Sequence, residues 1–328
     1  MTALFNEDWL IRSEGYAEVM DGTVQPWLAE KRKEIDVSGA KSRRIICDRY
    51  ETEQAKGTVV ILHGFTECAV KFSEIIFSLL QNGYSVLAYD QRGHGRSWRD
   101  ERISDPSLTH VDCFSEYTED LAAICDQAMR GMPKPWYLLA HSMGGAVSVL
   151  FLEDHPGYFD KAVLCSPMIA PQRGGLPLFM GKAMCLWAKF TGKDLKRIPM
   201  SQTWNGPEDY ETACATGKER FEWYDSLRVK TEIYHNNGPT FSWTLEAFRV
   251  AERILAPGKP EQIKIPVLIY TAENDSQVLP EAQEKLVRRL PCGKRKVVAG
   301  AKHEIYRSRD TVLFPWWKEV LDFYEVKD

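Results

Sequence analysis

Ala140-His141-Ser142-Met143-Gly144-Gly145 decides how the rest of the chain is read. A run of apolar residues, Trp136 to Ala140, leads into it, and Gly145 to Leu152 follows with a helix-like pattern. A serine between a strand and a helix sits on a tight turn, and the residues two before and two after it must be small to avoid collision. Ala140 and Gly144 satisfy this, although glycine is the commoner residue at both positions. Five residues of this kind are weak evidence alone; the flanking elements give them weight. Such a turn exposes the Ser142 hydroxyl at the carboxyl end of a sheet. The helix that follows directs free N–H groups and its positive dipole end to the same place.

Outward from this turn the chain alternates strand and helix. Arg44 to Tyr50, Gly57 to Leu62, Tyr84 to Tyr89, Trp136 to Ala140 and Ala162 to Cys165 read as strands. Thr58-Val59-Val60-Ile61-Leu62 is almost wholly apolar, as in a parallel strand covered on both faces. Phe72 to Leu80 and Phe114 to Met132 carry helical periodicity, and Gly83 ends the first. The alternation breaks from Pro167 to about Thr240, which is rich in Gly, Pro, Trp and Phe. It resumes with a strand at Ile265 to Tyr270, a helix at Glu281 to Leu290, a strand at Arg295 to Val298 and a last helix from about Val312 to Tyr324. This pattern predicts an α/β fold with a mostly parallel sheet between helices. Residues 1–166 and 246–328 would form the core, and 167–245 an inserted, mainly helical cap.

The chain of 328 residues is long enough for one large domain with an insertion. Its formal net charge is −4, no long basic run appears, and Lys294-Arg295-Lys296 is too short to suggest nucleic-acid binding. Eight cysteines with no CxxC spacing read as free thiols, which favours a reducing compartment. Met1 to Glu14 lacks the pattern of a secretory signal, and no run of 18 apolar residues occurs. The expected setting is the cytoplasm.

A serine becomes a nucleophile only beside a base. Of seven histidines, His303 is the best placed: it follows a strand and the Ala299-Gly300-Ala301-Lys302 loop, shortly before the last helix. Glu304 beside it is a candidate to tune it, whereas His141 is expected to point away. The acid that orients the imidazole is expected at Asp275, in the turn after the Val267 to Tyr270 strand, with Glu273 as runner-up. Backbone donors for an oxyanion are expected from Met143, directly after the serine, and from Phe65 in His63-Gly64-Phe65-Thr66-Glu67. Asp90 and Arg92 read as loop fasteners. No HExxH, clustered metal-ligand spacing or GxGxxG appears, so no metal or cofactor is expected.

Together, Ala140–Gly145, His63–Glu67, the loop Asp90-Gln91-Arg92-Gly93-His94-Gly95-Arg96-Ser97 and the pair Asp275 and His303 resemble the serine hydrolases of the α/β-hydrolase superfamily. The order Ser, Asp, His agrees with that superfamily. Within it the chain is similar, over about residues 40–325, to the group containing monoacylglycerol lipases and bacterial lysophospholipase L2. Leu227-Arg228-Val229 and Gly238-Pro239-Thr240-Phe241-Ser242-Trp243 resemble a cap-end motif of the latter type. The resemblance implies Ser142 as nucleophile, Asp275 as acid, His303 as base, and oxyanion donors from Phe65 and Met143. It also implies a lid from about 167 to 245.

The cap supplies the cues to substrate. Leu178, Met184 and Trp187 lie in an apolar stretch and are expected to wall an acyl-chain pocket. Lys182, Lys189, Lys193, Lys196 and Arg197 nearby could meet anionic headgroups and bring the cap into peripheral membrane contact. The expected reaction is hydrolysis of a carboxylic ester, foremost of a lysophospholipid. A monoacylglycerol lipase and a general carboxylesterase are the alternatives. An aminopeptidase would need an inward cap carboxylate such as Glu208, Asp209, Glu211, Glu219 or Glu222. A non-catalytic interaction protein would have no reason to keep Ser142, Asp275 and His303 together.

Overall fold

A computed structural model describes residues 4–326. Eight strands form the main sheet: β1 (Lys33–Ser38), β2 (Arg44–Tyr50), β3 (Thr58–Leu62), β4 (Ser85–Tyr89), β5 (Trp136–His141), β6 (Lys161–Cys165), β7 (Val267–Asn274) and β8 (Gly293–Lys302). Their spatial order is β1-β2-β4-β3-β5-β6-β7-β8. β2 runs antiparallel to β1 and β4; the pairs from β4 to β8 are parallel. The mostly parallel α/β-hydrolase architecture with a helical insertion is therefore the observed one. β1, a charged edge strand, was not anticipated. Its exposed Lys33, Glu34 and Asp36 suit an edge that must not pair further.

The parallel strands are buried on both faces because each feeds two cores. Val60, Leu62, Leu138 and Ala140 point into one cluster, and Val59, Ile61, Tyr137 and Leu139 into the other. That is the period-two alternation of a strand, with both faces apolar. Against the first face pack α2 (Ser115–Gln127), α3 (Met143–Asp154), α6 (Phe241–Ile254) and α7 (Pro280–Val287). Against the second pack α1 (Ser73–Gln81) and α8 (Asp310–Glu325).

Between β6 and β7 the chain forms α4 (Leu178–Phe190) and α5 (Lys218–Lys230) before entering α6. The boundary expected at 245 falls inside α6, whose Trp243, Ala247, Val250 and Ile254 belong to the main core. One helix thus carries the chain from the insertion back to the sheet. α5 is bolted down by Arg220, which is buried, takes both oxygens of Glu74 at 2.8 and 2.9 Å, and reaches Asp310 at 2.7 Å. α4 is fastened differently. Its small residues Gly181, Cys185 and Ala188 face inward, and Cys185 packs with Leu245 and Phe248 of α6. No helix among the described residues is long and apolar enough to cross a membrane.

Candidate active site

β5 delivers the chain to Ser142 and α3 carries it away, so the serine takes an unusual backbone conformation, φ 48° and ψ −115°. Such strain persists only where surrounding bonds over-determine it. Here the Ser142 N–H donates to the Cys165 carbonyl at 3.0 Å, and its own carbonyl accepts from Gly145 and Met168, each at 2.9 Å. A side chain at Gly144 would overlap the carbonyl oxygens of Leu62 and His63, which explains a glycine two residues after the serine.

The structure brings Ser142, His303 and Asp275 into one hydrogen-bonded line. Ser142 Oγ lies 2.9 Å from His303 Nε2, and His303 Nδ1 lies 2.8 Å from Asp275 Oδ2. The carboxylate can only accept, so Nδ1 carries the proton and Nε2 presents its lone pair to the hydroxyl. The Asp275 side chain is buried. Burial pushes its carboxyl up, but the His303 bond and the backbone N–H groups of Gln277 and Val278 outweigh it and lower it below the usual carboxylate value. Glu273 is exposed and instead accepts the Gly300 N–H at 2.8 Å; the loop expected at Ala299–Lys302 is the end of β8, whose register shifts between Val298 and Lys302, and this bond fastens it just before His303.

Phe65 lines the same space as Ser142 and Met143 directly follows the serine, and the backbone N–H of neither donates to an acceptor within the protein among the described residues. Met143 is the first residue of α3, where an amide has no helical partner. Phe65 is wedged by its ring against Trp243, with centroids 4.0 Å apart. This arrangement can accept a proton from the hydroxyl, support the resulting imidazolium and receive an oxyanion on two amides.

Ser142 and His303 open into a cavity of about 490 Å³ whose walls include Met184, Trp243 and Phe248. Of the three cap residues expected there, Met184 lines it, while Leu178 packs beside Cys185, Leu245 and Phe248, and Trp187 is exposed with Lys193 over its ring. At about 100° per residue, Leu178 and Trp187 stand on opposite sides of α4, so the two cannot wall one cavity. A second cavity of about 500 Å³, lined by Lys71, Trp204, Arg228 and Arg307 among others, shares Thr66, Cys214 and Glu304 with the first. Of the cap carboxylates, Glu208 and Asp209 reach this polar space, but Glu208 is already paired with Arg228.

Lys71 and Arg307, not singled out from sequence, stand among the charged residues beside the site. Glu67 and Lys71 form a buried cluster with Glu304 and Arg307. Burial pushes the Glu304 carboxyl up, but Lys71 and Arg307 outweigh it and hold it at about 2. Glu304 therefore serves ion pairs rather than touching the His303 ring. His141 does not point away from the site: its ring lies against that of His303, centroids 4.7 Å apart. Asp90 and Arg92 do fasten loops, Asp90 taking the Ala69 N–H and Arg96, and Arg92 taking Asp120 and Glu116. Among the described residues no group of three or more His, Cys, Asp or Glu is placed to hold a metal.

The geometry meets known proteins at several levels. Lysophospholipase L2 of Escherichia coli K12 is 28% identical over 97% of this chain and 94% of its own length. The probable lysophospholipase L2 of Haemophilus influenzae is 29% identical over 82% of this chain and 84% of its own. The crystal structure of Paleococcus ferrophilus monoacylglycerol lipase superposes with a TM-score of 0.66 at 21% identity, over 85% of this chain and 98% of that one, a likeness of fold. A family model described as serine aminopeptidase, S33, matches residues 53–310. With the sheet order, the strained serine turn and that match together, the chain belongs to the S33 serine aminopeptidase family of α/β-hydrolases.

Proposed function

We propose that this hydrolase cleaves the acyl ester of a lysophospholipid through an acyl-enzyme on Ser142. The observation that carries the reading is that Ser142 and His303 line an apolar cavity which adjoins a polar one through Thr66, Cys214 and Glu304. An ester has two arms. The apolar cavity under Met184, Trp243 and Phe248 suits the acyl chain, and the polar one beside Lys71, Arg228 and Arg307 suits a large, charged alcohol. Glycerol alone would leave much of about 500 Å³ unfilled.

In the first half-reaction His303 Nε2 takes the Ser142 proton while Oγ bonds to the carbonyl carbon. The oxyanion that forms is received by the Phe65 and Met143 N–H groups. His303 then gives its proton to the leaving alcohol oxygen as the C–O bond breaks. In the second half-reaction water attacks the acyl-enzyme, His303 takes its proton, and the fatty acid leaves as Ser142 regains its hydrogen. Asp275 holds the imidazole and supports its charge throughout.

The relatives named lysophospholipase L2 support this reading. The cap turns Phe179, Leu186, Trp187, Phe190 and Met200 to solvent, Phe190 at 89% exposure, which supports peripheral contact with a lipid surface. The test is kcat/KM for lysophosphatidylcholine, a monoacylglycerol with the same acyl chain, a short p-nitrophenyl ester and an aminoacyl anilide. Preference for the lysophospholipid supports the proposal. Equal or better turnover of the monoacylglycerol replaces it with a monoacylglycerol lipase, and preference for the anilide with an aminopeptidase.

A further inference from the structure

His141, next to the serine in sequence, has both ring nitrogens engaged and both by acceptors. Nδ1 lies 2.8 Å from Glu67 Oε2, and Nε2 lies 3.2 Å from the backbone carbonyl oxygen of His303. A carbonyl never donates. Glu67 already receives three donors: the Gly64 N–H reaches Oε2 at 2.5 Å, and the Tyr306 hydroxyl and Lys71 ammonium reach Oε1 at 2.6 and 2.9 Å. A carboxyl receiving three donors, one of them cationic, is ionised. A neutral imidazole would then point a lone pair at one of its two acceptors, in a site where both residues are buried. The arrangement closes only if both nitrogens carry hydrogen.

The bonds of the pair reach two separate parts of the reaction centre, the Gly64 N–H through Glu67 and the His303 carbonyl through His141. His303 is the residue whose ring must stay aligned between Asp275 and Ser142. Gly64 precedes Phe65, whose N–H is assigned to the oxyanion. A side chain at Gly64 would approach His141 Nδ1 to 2.8 Å and Ser142 Cβ to 3.0 Å, so the loop passes directly over this link. We propose that His141 and Glu67 are positioning residues: an imidazolium and a carboxylate forming one buried bridge that fixes the backbone of His303 and the oxyanion loop relative to each other. This rests on the reading of Ser142 and His303 as nucleophile and base.

Around the bridge Glu304 favours a charge on His141 and Lys71 opposes it, and the His303 ring faces His141 with centroids 4.7 Å apart. Lys71 lies on Glu67, and Glu304 with Arg307 lies behind Lys71; the Tyr306 ring stands 5.2 Å from His141. Burial acts against a charge on His141, but Glu67 outweighs it and raises the imidazole above its usual value. Burial pushes Glu67 up, and His141 and Lys71 outweigh that and hold it well below the carboxylate range. Because the His141 pKa is raised, the bridge is intact below the usual histidine value and is lost as pH climbs through the raised one.

Three measurements test the bridge. Nitrogen-15 histidine NMR of the native protein near pH 7 should show one imidazole, absent in His141→Gln, with hydrogen on both nitrogens. His141→Gln and Glu67→Gln should each lower kcat about tenfold to a hundredfold with KM little changed, as misplacement of reacting groups does. Their double variant should be no worse than the singles, because the two act as one unit. Glu67→Gln should also shift the alkaline fall of kcat to lower pH, which a purely structural role would not do. Slowed but persistent fluorophosphonate labelling of Ser142 in both variants separates this outcome from failure of the nucleophile assignment, in which the native enzyme would not label. A bare ring nitrogen on His141 in the native spectrum overturns the proposal. So do folded variants whose kcat stays within about twofold of native.

Discussion

The loops around Ser142 and the helix above it are held by different forces. At the carboxyl ends of β3, β5, β7 and β8, position comes from directed polar bonds: Glu67 to Gly64, His141 to the His303 carbonyl, Asp275 to two backbone amides. Over them, α4 rests on α6 through Gly181, Cys185 and Ala188 and leaves Trp187 and Phe190 in solvent. Directional bonds specify a geometry to a fraction of an ångström, whereas apolar contact specifies only proximity. In the proposed function, chemistry belongs to the first region and adaptation to a flexible acyl chain to the second. α5 joins the first kind, since Arg220 reaches from the insertion into the core as a buried ion pair. The insertion is thus half fixed wall and half adaptable roof.

The most severe test of this contrast is Ser142→Ala. It should cost about four to six orders of magnitude in kcat for every acyl chain length and abolish the fluorophosphonate adduct seen by intact mass spectrometry. Equal labelling of variant and native protein would remove the serine from the chemistry altogether. Asp275→Asn should cost about three to four orders of magnitude, again irrespective of chain length, because an amide cannot support the imidazolium. Near-native turnover in steady-state assays would redirect attention to Glu273.

Arg220→Met tests the fixed half of the insertion. Removing one partner of a buried pair strands Glu74, and about 3 kcal/mol of stability should be lost. Chemical denaturation reads this directly; an unchanged midpoint would mean that α5 is held by its apolar contacts alone. The smallest effect is expected in the roof. Met184→Ala should lower kcat/KM for long acyl esters by about threefold to tenfold, at about 0.8 kcal/mol for each methylene no longer buried, and leave acetyl esters unchanged. Trp187→Ala should leave the whole chain-length series unchanged, because its ring faces solvent. If the two variants behave alike, the division between lining and outer faces of α4 fails.

Much of this was legible beforehand. Thr58–Leu62 and Trp136–Ala140 are recognisable as buried parallel strands because their apolar runs need only local neighbours to be interpreted. The serine turn is equally local, since its small residues avoid collisions within a few positions of chain. β1 escaped notice because Lys33–Ser38 is a charged edge whose pairing with β2 leaves almost no apolar pattern. In the cap, apolar composition marked α4 but could not say which apolar side was inward. Gly181, Cys185 and Ala188 are the buried face because small residues let α4 lie close to α6, and that is a property of two helices together.

The sequence by itself determined the alternation of strands and helices, the serine turn and the chain order of Ser142, Asp275 and His303, because each is encoded in periodicity or in steric demands between near neighbours. Only the tertiary structure decided that Asp275 rather than Glu273 meets His303. It likewise decided that Met184 rather than Trp187 meets the cavity, and that Glu67 pairs with His141. These choices join residues from 28 to 74 positions apart, or select one face of a helix. They depend on where the chain returns after crossing the sheet, and no local pattern of residues carries that information.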